Sequence, residues 1–366
     1  MALRFHWMLP KAGEVVPGAS QTPQEALRYR ADSTTEGSTA PRPDLTGWTH
    51  FARVAEHAGI ESVLISFSRY EPDPLVVSSA LGCATKKLTF MLAFRAGLTQ
   101  PAAFVQQLNT LSCMLGGRVS LNLVAGSSLA EQRGYGDFLA HDDRYARAEE
   151  FLTICEQFWR NGGEADFRGN FYCVEKGKVH TPYNTNGSAN GSRGPEIYIS
   201  GHSEPALRLA TEHGSCWLRV ADTPEAIAPG VARMREAGIS VGLRLCIIAR
   251  ATHDEAVRAA ESLVPRDDGG GQAASVKLKD DSLMHRQAAT NGSGWISANL
   301  WTGLVPFYGP VWTTLAGTPR ELADTFLAWR DAGVEQFILS GWPELDTVEM
   351  FGRDVLPLIR EGEACR

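Results

Sequence analysis

Apolar residues in this chain fall into short continuous runs, separated by longer segments in which apolar positions recur every three or four residues. The clearest stretch is 88–124. Residues 88–94 and 119–124 are strand-like runs, and between them lies a helix-length segment that Pro101 opens and Gly116-Gly117 closes. Parallel strands need a crossover helix, so this stretch reads as a βαβ unit. The alternation continues in both directions. It predicts strands over 3–9, 62–65, 88–94, 119–124, 196–200, 215–218, 241–249 and 336–339, and helices over 45–58, 73–83, 101–115, 144–160, 205–213, 224–237, 254–263 and 319–331. Several helices end in the same punctuation: Ala58-Gly59, His213-Gly214, Ala237-Gly238 and Ala332-Gly333. Eight strands alternating with eight helices predict an α/β protein, a (β/α)8 TIM barrel with insertions at the carboxyl ends of its strands, over the whole chain 1–366.

Three stretches break the rhythm. Residues 17–43 are polar and rich in Ser, Thr and Pro, which predicts a long loop; 184–195 (NTNGSANGSRGP) reads as a surface turn. Residues 264–309 interrupt the barrel after its seventh helix and carry Trp295, Trp301 and Phe307, with Trp312 just beyond. Long insertions at a barrel mouth are often lids, so this one is expected to fold over a ligand; a plain surface insertion is the alternative.

The composition, 43% hydrophobic and 21% charged in 366 residues, suits a globular protein with a large core. A net charge of −7 argues against a general binder of nucleic acid or anionic membrane. No apolar stretch approaches the roughly 18 residues of a membrane span, and the start MALRFHWMLP has no signal-like apolar region, so a cytoplasmic location is expected. The cysteines at 83, 113, 155, 173, 216, 246 and 365 are scattered without ligand-like spacing, which indicates neither a disulfide framework nor a metal site.

Candidate chemistry sits at the predicted strand ends. The fourth strand closes on Asn122 and a small-residue loop, Ala125-Gly126-Ser127. Ser200-Gly201-His202-Ser203-Glu204-Pro205 joins the fifth strand to a helix. Ser203 suits the N-cap and Pro205 the first turn, so exposed N–H groups and the helix dipole would favour a phosphate there; an ordinary capped helix is the alternative. In 141–150 (HDDRYARAEE), Asp142 or Asp143 can cap a helix whose first turn holds Arg144 and Tyr145. These two would complete a phosphate cradle, or else form surface pairs. Arg244 lies inside the apolar run VGLRLCIIA and needs a carboxylate partner or an anionic ligand; Cys246 follows on the same face. His6 and Trp7 pose the same question on the first strand. No GxGxxG, P-loop or GxSxG motif is present.

Taken in order, FHWMLPKAGE, AGIESVLI, TQPAAFVQQLNTLSCMLGGRVSLNLVAGS, HDDRYARAEEFL, GNFY, PEIYISGHSEPALRLA, GLRLCIIARATHDEA, SANLWTGLV and FILSGWPELDTVEMFGRDVLPLI resemble the bacterial luciferase-like flavin-dependent monooxygenases, most nearly their alkanesulfonate monooxygenase branch. The glycine motif of the F420-dependent relatives is not matched. The resemblance implies a two-component enzyme. FMN arrives as FMNH2 from a partner NAD(P)H:FMN reductase, O2 is the cosubstrate, and a C4a-peroxyflavin oxygenates a small organosulfur compound or specialised secondary metabolite. A true alkanesulfonate monooxygenase releasing sulfite and aldehyde is one alternative, and a non-catalytic flavin-binding subunit another. Relatives are commonly homodimers or homotetramers.

By position, the resemblance places Asn122 at the isoalloxazine edge with Glu131 in the same loop. Arg144, Tyr145 and Ser203, with Glu204 beside it, fall at the phosphate, and Ser66 and Arg95 against the ring. Arg244, Glu71 and His6 become the catalytic candidates, and Trp7, Cys246, Tyr308 and Trp342 the substrate-side ones. The departures concentrate on the substrate side. Glu71 stands where the branch has a cysteine, Cys246 replaces the histidine of an Arg-x-His pair, and Tyr308 falls near a lid arginine. Trp342 replaces a tyrosine, Val220 a tryptophan and Ala125 a threonine. The expectation is a retained flavin half and a rebuilt substrate half.

Overall fold

A computed structural model describes residues 2–10, 44–69, 71–126, 129–185, 194–264, 293–305 and 309–365. The strands are β1 (Arg4–Met8), β2 (Ser62–Ile65), β3 (Thr89–Phe94), β4 (Val119–Leu123), β5 (Glu164–Arg168), β6 (Cys173–Lys178), β7 (Ile197–Ser200), β8 (Cys216–Val220), β9 (Ser240–Ala249), β10 (Leu300–Trp301), β11 (Thr314–Gly317) and β12 (Gln336–Gly341). The helices are α1 (Leu45–His57), α2 (Pro74–Ala84), α3 (Pro101–Met114), α4 (Leu129–Gly134), α5 (His141–Arg160), α6 (Glu204–His213), α7 (Pro224–Glu236), α8 (His253–Glu261), α9 (Pro319–Asp331), α10 (Glu344–Met350) and α11 (Leu356–Ala364). Strands β1–β4, β7–β9 and β12 alternate with helices in barrel order, and the fold is a (β/α)8 barrel. Each of the eight predicted strands and eight predicted helices is present, with ends shifted by a few residues.

Local chemistry explains these boundaries. Asp44 and Asp73 accept N-cap bonds from Gly47 and Val76, while Thr252 and Thr318 form capping boxes with Glu255 and Glu321. Helix α5 begins earlier than predicted. Ala140 is its N-cap, and Asp142 and Asp143 lie in the first turn rather than capping it.

The chain divides into two compact units, Met1–Glu61 with Val220–Arg235 and Val241–Arg366, and Ser62–Arg219 with Glu236–Ser240. In unit one the parallel order is β11-β9-β12-β1, with β10 antiparallel on β11. Its aromatic layer stacks Phe5 on Phe337 at 5.5 Å and sets Phe326 edge-on to Phe5 at 5.3 Å. In unit two the parallel order is β2-β3-β4-β7-β8. There Phe94 of β3, Phe104 of α3 and Phe151 of α5 interlock at 4.9 and 5.3 Å.

Differences from the sequence reading have plain causes. The sequence pattern does not predict the antiparallel hairpin β5–β6, because Ala165 is the one buried residue of its two strands and no apolar alternation marks them. Within 264–309, Trp301 is 1% exposed and packs with Ile248, Ala256, Ala260, Leu263, Leu304, Ala316 and Trp342, while Trp295 and Trp312 are half-buried against the same cluster. The Trp295 Nε1–H donates to Glu261 and the Trp301 Nε1–H to the Ser293 carbonyl. Trp295 and Trp301 therefore make core contacts with α8. Residues 17–43, 265–292, Phe307 and Tyr308 lie outside the described residues, as does most of 184–195. Among the described residues, no helix is long and apolar enough to cross a membrane.

Candidate functional site

In unit two, several predicted residues meet at the carboxyl ends of the strands. Asn122, the fourth residue of β4, is 2% exposed and its Nδ2 donates to Ser200 Oγ at the end of β7 over 3.1 Å. The loop beyond β4 is held from inside. Gln132 Nε2 donates to the Ala125 carbonyl at 3.0 Å. Arg144 Nε reaches the same carbonyl at 3.2 Å, its Nη2 the Gly126 carbonyl at 3.3 Å and its Nη1 the Leu139 carbonyl at 2.9 Å. Gly126 has φ +78°, and a side chain there would collide with the Gln132 amide and come within 3.2 Å of Arg95 Nε.

The predicted anion site takes shape at the start of α6. Ser203 is the N-cap, but its side chain makes no capping bond, and among the described residues its buried Oγ has no hydrogen-bond partner. Tyr145 from α5 is 5% exposed and points its hydroxyl here: a methyl group on Gly201 would sit 3.0 Å from it. Burial pushes the Tyr145 phenol up, and the nearby Ser203 hydroxyl tempers the rise without making a well-formed bond of its own. Tyr145 therefore keeps its proton at neutral pH and can donate it. Tyr145 and Ser203 converge on the helix N-terminus, while the bonds of Arg144 brace the loop behind them. Glu204 is exposed at the first position of the helix. An unpartnered hydroxyl, a protonated phenol and a helix N-terminus fit a phosphate.

Arg95 and Glu131, separate in the sequence reading, are ion-paired at 3.0 Å with side chains 8% and 12% exposed. The second oxygen of Glu131 accepts the Arg69 backbone N–H at 2.9 Å, and the Arg95 guanidinium lies 5.1 Å from the centre of the Phe67 ring. Among the described residues, Arg95 Nε and Nη1 are buried without partners. Ser66 is half-buried just beyond β2, and Glu71 is half-buried in the following loop.

Behind these residues sits a buried group that sequence reasoning missed. Arg147 binds Asp137 through two nitrogens, at 2.6 and 3.3 Å. Burial alone would push Asp137 up, but the Arg147 bonds and the Leu139 N–H more than offset this and hold its carboxyl below the usual range. The Tyr172 hydroxyl has no partner among the described residues, and burial raises its pKa to about 12. The unfolded phenol ionises near pH 10, so between pH 10 and about 12 the native state holds a proton that the unfolded state has lost. This contribution is complete below pH 10 and disappears as pH rises through that window. Urea unfolding across the window is expected to show stability falling with pH, with a shallower slope in Tyr172→Phe.

In unit one, His6 is fully buried with Nε2 2.9 Å from Gln336 Oε1. Trp7 faces the other side of β1, where it packs on Phe351 and its Nε1–H donates to Glu344 at 2.8 Å; its contacts are those of a core residue. Arg244 is 9% exposed. Its bonds include the Leu245 carbonyl at 2.6 Å, the Ile338 carbonyl at 3.3 Å, Ser340 Oγ at 2.9 Å and Met8 Sδ at 3.2 Å. Cys246 Sγ lies 3.1 Å from Ser340 Oγ. Trp342 is 9% exposed in the tryptophan cluster, and its Nε1–H has no partner among the described residues. Tyr308 lies outside the described residues. Sequence reasoning missed Ser340, which the register of β9 and β12 brings to Arg244. Among the described residues, no group of three or more His, Cys, Asp or Glu side chains could hold a metal ion.

The model of the luciferase-like monooxygenase family matches residues 5–336. Among solved structures, the chain is similar to the EDTA monooxygenase from Chelativorans sp. BNC1, at 19% identity and TM-score 0.74 over 99% of this chain and 94% of that one. It is similar to a riboflavin lyase crystallised with modified FMN and riboflavin, at 19% identity and TM-score 0.73 over 99% and 92%. It also resembles an F420-dependent tetrahydromethanopterin reductase from Methanopyrus kandleri, at 16% identity and TM-score 0.65 over 98% and 99%. At these identities each structure speaks for the fold.

Proposed function

The chain belongs to the luciferase-like monooxygenase family and is a flavin-dependent monooxygenase, and from that premise we propose that it is the oxygenating half of a two-component system that takes FMNH2 from an NAD(P)H:FMN reductase. The observation that carries the cofactor half is the start of α6, where the unpartnered Ser203 hydroxyl and the protonated Tyr145 phenol await an anion. In this reading they hold the FMN phosphate, Asn122 meets the ring edge, and Arg95, Glu131 and Ser66 line the ring. Arg144 acts from behind, fixing the loop on which Asn122 and Gly126 sit. Bound reduced flavin supplies the activation of O2.

On the substrate side the reading assigns Arg244 to an anionic substrate group or a developing oxyanion, Glu71 to a cationic group or a proton, and Trp342 to an apolar wall with one N–H to give. That set suits a small organosulfur compound or specialised metabolite better than a plain alkanesulfonate, because the Arg-x-His pair has become Arg244-x-Cys246.

Anaerobic titration with photoreduced FMN, oxidised FMN and reduced F420 tests the cofactor. Reduced FMN is expected to bind at least about tenfold more tightly than the other two, a difference of roughly 1.4 kcal/mol. Tighter binding of F420 overturns the reading. With a reductase, NADH and O2 added, sulfite released from a simple alkanesulfonate would reassign the substrate. Flavin binding without any oxygen-dependent product across a substrate panel would reassign the chain as a non-catalytic subunit.

A further inference from the structure

We propose that the outward faces of α2 and α3 form a docking surface for a second copy of this chain, which meets them across a two-fold axis with each helix antiparallel to its own copy. No residue of either helix belongs to the candidate site described above.

Helices α2 and α3 have 11 and 14 residues and pack side by side in unit two. At the chain's 21% charged content they would carry about five Asp, Glu, Lys or Arg residues. They carry none, whereas every other helix among the described residues carries at least two. Their inner sides are ordinary: Val77 and Leu81 of α2 and Phe104, Leu108 and Leu111 of α3 are buried. On the outer side, Val76, Ala80 and Cys83 follow the helical repeat along α2 and are exposed. So do Ala103, Gln107, Thr110 and Met114 along α3. Val76 is 69% exposed and Met114 61%. Tyr135, 41% exposed and close to Asp73, extends the face past the start of α2. A helix side that meets only water normally carries charge, while the centre of an interface is depleted of it. The rim is charged: Asp73 caps α2, Lys86 and Lys87 follow it, and Arg118 follows α3.

Charge also selects the occupant. The chain carries a net −7, so two copies repel wherever acidic surfaces meet, and least across a face with no charge of its own. A basic partner would be drawn to acidic surface instead. The rim then sets the orientation. With the axis running across the helices, the Asp73 end of α2 lies against the Lys86-Lys87 end of its copy, and the two macrodipoles oppose each other. An axis along the helices would bring like ends together. Lys86 and Lys87 have contacts within their own chain too, so the sign of each end is what counts. In the favoured arrangement the middle of each helix, at Ala80 and Gln107, faces itself. Two helices of this length offer a plan area of about 400 Å2. That lies at the small end of specific interfaces, so the pair should form at micromolar concentration and part on dilution.

Sedimentation velocity of the full chain, without flavin or substrate, is the test. Wild type is expected to be dimeric in the micromolar range. Ala80→Glu and Ala80→Lys are each expected to weaken the dimer about hundredfold, because a charge that meets its own copy is repelled whichever sign it has. Mixing the two variants in equal amounts should restore the dimer, since opposite charges then face each other. If Ala80 met a different surface, one sign would weaken the contact and the other would not. Ala228→Glu, exposed on α7, adds the same charge elsewhere and should leave the dimer intact. Urea unfolding checks that each variant folds; if the Ala80 pair does not, Gln107→Glu and Gln107→Lys repeat the experiment on α3. Cys83 gives a second readout from the same stripe: its thiol should be shielded from a soluble maleimide in concentrated wild type, and accessible on dilution or in Ala80→Glu. A wild-type chain that stays monomeric up to about 100 µM overturns the proposal. So does a dimer that either Ala80 variant leaves intact, or one that the mixed variants fail to re-form.

Discussion

Replacing Arg144 with methionine is expected to lower the unfolding free energy by about 2–4 kcal/mol and to weaken reduced-FMN binding at least tenfold, the range for losing charge-assisted bonds to buried carbonyls. Arg144 is 5% exposed, and its guanidinium gathers the carbonyls of Ala125, Gly126 and Leu139 from two loops. Methionine keeps the apolar stem but has no donor. Ala125 would retain the Gln132 amide, whereas the Gly126 and Leu139 carbonyls would lose the guanidinium. The loop beyond β4 then loosens at Gly126, beside Arg95 and four residues after Asn122. Lysine should rescue only in part, because a point charge on a flexible stem cannot span three acceptors. Urea unfolding and anaerobic fluorescence titration read the two effects separately. A destabilised variant that binds reduced FMN normally would show that the brace serves the fold and not the cofactor.

The asymmetry between what the chain revealed early and what it hid follows from the range of the interactions. Barrel strands were legible because each is a short apolar run bounded by Gly, Pro or a capping residue, and those signals are local. The hairpin β5–β6 escaped for the same reason: its cross-strand pairs Arg168–Glu175 and Lys178–Glu164 are exposed, and polar strands leave no hydrophobic period to read. At the candidate site, the meeting of Tyr145 with Ser203 was foreshadowed by two helix-start patterns. The pairing of Arg95 with Glu131 was not, although both residues had been singled out. Ser340 and Glu344 could not be found by spacing, because their partners Arg244 and Trp7 lie 96 and 337 positions away and only strand register brings them together. The tryptophans near 300 show a further limit. Aromatic content signals that a segment buries something, but not whether it buries a ligand or its own core, and Trp301 buries itself against α8.

Glu344 supplies the second large effect. Its side chain is 2% exposed at the start of α10, and one oxygen accepts both the Trp7 indole N–H at 2.8 Å and the Gly341 backbone N–H at 2.9 Å. It thereby ties the carboxyl end of β12 to β1, next to Ser340 on one side and Trp342 on the other. Glu344→Ala leaves two buried donors without this acceptor and creates a cavity, so a loss of about 3–5 kcal/mol is expected. Glu344→Gln keeps an acceptor oxygen and should recover more than half of that loss. Guanidinium-chloride unfolding measures both. The local consequence separates a tether from a filler. Freeing Gly341 removes the acceptor of its backbone N–H, so amide hydrogen exchange at Gly341 should quicken in Glu344→Ala and stay near the wild-type rate in Glu344→Gln. If Glu344→Ala is destabilised yet exchanges the Gly341 amide at the wild-type rate, the end of β12 is held by its strand ladder, and the carboxyl group stabilises unit one without fixing that end.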